Sequence, residues 1–354
     1  MWARYEVASF HLKTQEIYDA LPVTAIAYTD TLNASGTMSC TVPLSAPAAT
    51  PDRLYPGGTG LAVLRDGEPI WGGILWTLNA DLEAGTLTLN ASGFHSHLKG
   101  KHFVAGEIAR DVDQNAMVRN WVSRSNANSG IATDVSQIKD SGRKRTRVWT
   151  RYECKNLGDA IEELAEVIDG FNFRYAPYWI ERRKRMGNRL LVSPRSGTPG
   201  ARLLEHRVNC NVTAVSYDST ALATNAYAIG ADNGAGEKLM GSARNAELAD
   251  RIPARDSVTT YTDIKETETL LSKAQAAIDA GREPVAIPTL TLYPGMSPAG
   301  FTVGDAVTVR VDSGYVAVLD DFIITERKVD IETTGRESVS LSLANRKLFT
   351  NGDS

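Results

Sequence analysis

The stretch "RDGEPIWGGILW", residues 65–76, decides how the first third of the chain is read. Asp66-Gly67 offers the positive φ of a tight turn, and Pro69 opens the strand after it. Two tryptophans then flank a glycine pair. In an unbroken strand Trp71 and Trp76 are an odd number of residues apart and face opposite sides. A bulge at Gly72-Gly73 would shift the register and bring them to one face. Without it, Ile70, Ile74 and Trp76 share a face and Trp71 sits with Leu75. Either arrangement mostly buries the rings, as core or as partner interface. The alternative, a sugar-stacking platform, wants carboxylate and amide neighbours that this hairpin lacks.

Around that hairpin, "GTMSCTVPL" (36–44), "GLAVLRDG" (60–67) and "GTLTLNASG" (85–93) are short runs of apolar and β-branched residues bounded by Gly, Pro and Asp. Their spacing predicts an antiparallel barrel or sandwich over residues 1–95. The middle differs. "DVDQNAMVRNWVSRS" (111–125) has helical spacing with Asp113 as N-cap. In "NLGDAIEELAEVIDGFNFRY" (156–175), Ile161, Leu164, Ala165 and Ile168 recur on one helical face, and Gly170 falls just past the helix end. "FNFRY" and "NRLLVSPRSG" read as two strands joined by a basic loop. Residues 96–205 are therefore an α/β insert.

From 206 to 354 strands return, interrupted by one helix over 262–284 with Leu270, Leu271, Ala274, Ala277 and Ile278 on one face. Alternation in "AVTVRV" and "SVSLSL" marks half-buried strands, with one face packed and the other meeting water or a partner. The predicted fold is mainly β with an α/β insert: two β-barrel-like domains flanking a small helical region.

At 354 residues the chain is long enough for two or three cores. A net charge of −4 makes no whole-protein case for nucleic acid, although "GRKRTR" (142–147) and "ERRKRMGNR" (181–189) concentrate basic residues. No apolar run is long enough to cross a bilayer. The N-terminus lacks the apolar block of a secretory signal, so synthesis and folding in a cytoplasm are expected. Cys40, Cys154 and Cys210 form no C-x-x-C pair, which excludes a cysteine zinc ribbon.

The candidates for chemistry are few. His95, His97 and His102 lie in "GFHSHLKGKH". On a strand the first two would point the same way, a spacing that metal sites use, but no carboxylate follows until Glu107. Polar histidines at a strand end fit better, and no metal or other cofactor is expected. "GADNGAGEKLMG" (230–241) is neither a dinucleotide nor a Walker loop, and Asp232 and Asn233 lack the oxygen spacing of a calcium site. No catalytic motif assembles. Asp320-Asp321 falls within a strand, where neighbours face opposite ways, so no enzyme is expected. Trp71 and the run Arg182, Arg183, Lys184 and Arg185 are the candidate partner-interface residues, the basic run facing an acidic patch on another protein.

The order of these parts resembles the tail-hub (minor tail, baseplate hub) proteins of long-tailed bacteriophages, especially siphophages infecting actinobacteria. "SGTMSCTVPL" with "LAVLRDGEPIWGGILWTL" looks like the family's opening barrel, and "LTLNASGFHSHL" like its exit. "LGDAIEELAEVIDGFNFRY" resembles the helix-to-strand unit of the insert. "TNAYAIGADNGAG", "TYTDIKETETLLSKAQAAIDA" and "FTVGDAVTVRV" follow in the family's order. The resemblance implies two tube domains per chain and a homotrimer whose tube domains make a pseudo-hexameric ring. It implies as partners the distal tail and tail-tube proteins, the tape-measure protein and further tail-tip proteins. DNA would pass through the lumen without specific binding, and the protein would sit at the tail tip of the virion. The rival readings are a carbohydrate-binding β module of a virion or cell surface, and a peptidoglycan-active enzyme.

Overall fold

The computed structural model describes residues 4–346 apart from 168, 198–201, 233–236, 262–263, 265, 294–295, 297–299 and 333. The first part holds β1 (Tyr5–His11), β2 (Ile17–Leu21), β3 (Ala25–Thr31), β4 (Thr37–Pro43), β5 (Thr59–Arg65), β6 (Glu68–Asp81) and β7 (Thr86–Gly93). The insert follows with α1 (His95–Lys99), β8 (Glu107–Asp113), α2 (Gln114–Ala127), β9 (Lys144–Trp149) and α3 (Leu157–Glu166). It ends in the hairpin β10 (Phe171–Glu181) and β11 (Arg185–Pro194), then the short β12 (Leu203–Glu205). The last part begins with β13 (Cys210–Asp218), β14 (Asn225–Asp232), β15 (Lys238–Arg244), α4 (Ala246–Ala249) and β16 (Asp256–Thr260). It closes with α5 (Thr267–Ala280), β17 (Val285–Leu292), β18 (Ala306–Ser313), β19 (Val316–Ile331) and β20 (Glu337–Asn345). The fold is mainly β.

Asp66 and Gly67 take φ values of 53° and 83°, making the tight turn that sends β5 into β6. The glycine pair behind it does not bulge. Register irregularities fall instead beside it, where β5 skips Ile70 and where β7 skips Trp76. Gly72 and Gly73 stay in the ladder because the space around them is filled. A Cβ at Gly72 would lie 2.7 Å from the Phe94 ring, and one at Gly73 would lie 2.4 Å from the Ser92 carbonyl oxygen. The skipped residue at Trp76 leaves that ring outside, 42% exposed, while Trp71 is 2% exposed.

The two β halves share one sheet. Its strand order runs β13, β17, β20, β19, β3, β4, β7, β6, β5, β1, β2, with β18 and β12 attached at β19. The seam is the antiparallel pair β3 and β19, from Thr31 opposite Glu326 to Ile26 opposite Ile331. One apolar core spans it, with Tyr28, Trp71 and Leu75 in the same cluster as Phe322, Val329 and Leu341. Among the described residues neither half closes into a barrel. A strand edge accepts one partner, and the edge of β3 that would close the first half is occupied by β19. The alternation of β18 and β20 is borne out: Val307, Val309 and Val311, and Val339, Leu341 and Leu343, are buried.

The insert has its own core, built on Met117, Val118, Trp121, Ile161 and Leu164. Asp113 caps α2 as predicted, its carboxylate accepting from the Asn115 and Ala116 amides. The end of α3 differs from expectation. The left-handed residue is Asp169, at φ 56°, and Gly170 is needed because a Cβ there would meet the Ala165 carbonyl oxygen at 2.1 Å. Ile168 lies outside the described residues. In α5, Leu270, Ala274 and Ile278 pack against the small sheet of β15, β14 and β16, while Leu271 faces outward.

Candidate functional site

The insert meets the first β half where the β10–β11 hairpin lies against it. Trp179 donates its indole N–H to the Gly67 carbonyl at 3.1 Å. The Ile17 amide donates to the Lys184 carbonyl, and the Met186 amide to the Gln15 carbonyl, both at 2.8 Å. The basic tip between the strands is paired within the chain. Arg182 lies 3.3 Å from Glu68 and Arg183 3.2 Å from Glu6, while Lys184 pairs with Glu181 and Arg185 donates to Gln15. The tip is on the surface, but its arginines hold the hairpin to the chain's own turn. Exposed pairs of this kind are screened by water and contribute little to stability.

Trp71 lies on the other side of that turn, buried at 2% exposure, and lines a cavity at the seam. Its indole N–H donates to the Thr29 carbonyl at 3.1 Å, and its ring centroid is 6.5 Å from that of Tyr28. Of the expected interface residues it alone belongs to the core, because β6 turns this face toward the seam.

At the seam a cavity of about 200 Å³ is bounded by β3, β6, β10 and Arg327 of β19. Arg327 is buried and directs its Nε at Asp30 Oδ2 (3.0 Å) and its Nη1 at the Phe301 carbonyl (3.0 Å). The pair ties β3 to β19 across 297 positions of sequence. Arg174 lines the same cavity; burial pushes its pKa down, opposed by the charges of Asp30 and Asp305. A charge in phase with inward-facing residues is the sequence signal at both positions: Arg327 with Val329 and Ile331 in "TERKVDI", and Asp30 with Ile26 and Tyr28 in "AIAYTDT".

The histidines sit on or after a helix, not on a strand, so the expected shared direction is lost. His95 is buried, with Nε2 3.1 Å from Glu162 Oε1 and Nδ1 3.4 Å from the Tyr175 hydroxyl. Burial raises the Glu162 pKa, but hydrogen bonds from His95 and Lys99 outweigh it and hold the carboxylate below its usual range. His97 faces elsewhere, and its Nε2 is buried without a hydrogen bond among the described residues. Burial, reinforced by Lys101, pushes its pKa down to about 4. His102 approaches Asn156 Nδ2 at 3.4 Å. Among the described residues no three His, Cys, Asp or Glu side chains are grouped to hold a metal ion. Asp320 and Asp321 are separately engaged, with Asn345 and with the Thr308 hydroxyl. Asn233 of the glycine-rich loop lies outside the described residues.

The whole arrangement has close counterparts among solved structures. It is similar to a tail protein from Neisseria meningitidis MC58, with TM-score 0.61 and 12% identity over 98% of each chain. It is likewise similar to the 43 kDa tail protein of prophage MuSo2 from Shewanella oneidensis, with TM-score 0.59 and 13% identity over 98% of this chain and 99% of that one. A third is prophage tail protein gp18 from Listeria monocytogenes EGD-e, with TM-score 0.57 and 13% identity over 95% and 94%. The chain has the fold of these tail proteins. No family model and no curated protein sequence matches it. In this tail-protein fold, the seam joining the two β halves and the hairpin latched across the first half are the features that set the chain's shape. No helix among the described residues is long and apolar enough to cross a membrane.

Proposed function

We propose that the chain is a structural component of a bacteriophage tail, the trimeric hub at the tail tip. The observation that carries this reading is the likeness to tail proteins over essentially the full length of both chains. Its work is mechanical. Each chain brings two β halves, so three chains present a pseudo-hexameric ring that matches the tube on one side and threefold symmetry on the other. The ring encloses part of the DNA channel and grips no sequence. The main sheet supports this reading, because among the described residues no strand of the sheet pairs with the outer edge of β13, and the hairpin covers only the start of β2. An open edge is a template for pairing, and a closed ring removes it.

The neighbours in this reading are the distal tail and tail-tube proteins, the tape-measure protein and further tip proteins. A siphophage of an actinobacterial host is supported by the order of the sequence motifs. The division at residues 95 and 205 into two tube domains and an insert follows the same reading, with the exposed basic tip at Arg182–Arg185 turned outward. No catalytic step is assigned. Light scattering after size-exclusion chromatography tests the assembly: three chains per particle are expected. A particle that stays a single chain at every concentration would contradict self-assembly.

A further inference from the structure

We infer that the groove between β8 and α2 docks an extended acidic segment of another protein. β8 and β9 form a two-stranded ribbon with no third strand among the described residues. Ile108 and Val148 pair directly across it, and both face outward, 74% and 44% exposed. Val104, just before the ribbon, is 73% exposed. Directly paired apolar side chains facing water serve no purpose in the core of the insert, and such a patch marks a contact surface.

The groove beside the ribbon has Met117 and Trp121 of α2 in its lining, and it runs on past Arg124 to Trp149 and Arg151 at the far end of β9. Its charged lining is Arg110, Arg124 and Arg151 against Glu107 alone. Glu107 is already engaged, by Arg124 and by the Trp121 indole at 3.0 Å. Arg110 has no hydrogen bond or ion pair among the described residues. Arg151 has no carboxylate partner among them, its guanidinium lying 4.6 Å from the Tyr152 ring centroid. Two uncompensated positive charges over an aromatic and aliphatic floor are complementary to an acidic chain that also carries apolar side chains. The open ribbon edge favours an extended backbone, which can add as a strand. A nucleic-acid backbone fits less well, since it calls for a longer basic row. Docking here is independent of ring formation and stands or falls separately.

The test uses the full chain and a fluorescein-labelled peptide of alternating glutamate and valine, read by anisotropy at low salt beside its lysine–valine counterpart. The acidic peptide is expected to bind about tenfold more tightly. Arg110→Glu with Arg151→Glu should reverse that order, and Ile108→Ser should weaken binding without changing it. Circular dichroism identical to the parent chain separates loss of the site from loss of the fold. Equal binding of the two peptides would overturn the proposal, as would an order that survives the charge reversal. So would displacement of the acidic peptide by single-stranded DNA at lower concentration. A change of oligomeric state in Ile108→Ser without any peptide would assign the groove to a second copy and overturn it too.

Discussion

Gly73 has no room for a side chain: a Cβ there would press on the Ser92 carbonyl and come within 2.6 Å of the Trp71 ring. Backbone on one side and an indole fixed by its bond to Thr29 on the other leave little to yield. Gly73→Ala should therefore cost about 1–3 kcal/mol, read as a lower urea midpoint with an unchanged slope. His97 gives a pH signature. Its folded pKa, about 4, lies below the unfolded value near 6.5, so the unfolded chain takes up the proton first as pH falls. The stability that neutral His97 provides is complete above pH 6.5 and drains away as pH falls toward 4. Carboxylates such as Glu162 and Asp134, held below their usual range, add losses at lower pH. His97→Asn should flatten the fall in melting temperature between those two values, and an unchanged profile would refute this role.

At the scale of elements, the seam between β3 and β19 carries the ion pair of buried Arg327 with half-buried Asp30. Arg327→Met leaves the half-buried Asp30 carboxylate without its paired guanidinium, with Arg174 the remaining positive charge acting on it. The expected cost is about 3–5 kcal/mol, and denaturant unfolding measures it. Elements with strong local signals were legible: the Asp66-Gly67 turn, the Asp113 cap and the alternation in β18 and β20 all follow from residues close in sequence. Where a close approach decides, local reasoning misplaces the cause. Gly72 and Gly73 read as either a bulge or an unbroken strand and are tightly packed ladder positions; Gly170 reads as the residue just past the helix end, and Asp169 before it takes the left-handed conformation. His95 and His97 read as strand neighbours because α1 is only five residues long, too short for periodicity to show.

At the scale of the molecule, the sequence pattern separates two β halves around an insert, and among the described residues the structure joins the halves through a single pair of strands. Nothing local announces that pairing, because Ile26 and Ile331 are brought together only by the path of the whole chain. The basic run at 182–185 illustrates the same point. Composition marks it as a surface for a partner, and the fold supplies Glu6 and Glu68 from the far end of the sequence to meet two of its arginines. The docking groove, by contrast, rests on Ile108 and Val148, whose exposure no composition reveals. In the proposed function this chain closes into a ring of three. Negative-stain electron microscopy of the purified assembly tests it most directly. Annular particles with three chains, threefold symmetry and a central lumen are expected. Compact particles of one chain, or a twofold dimer with no lumen, would contradict it.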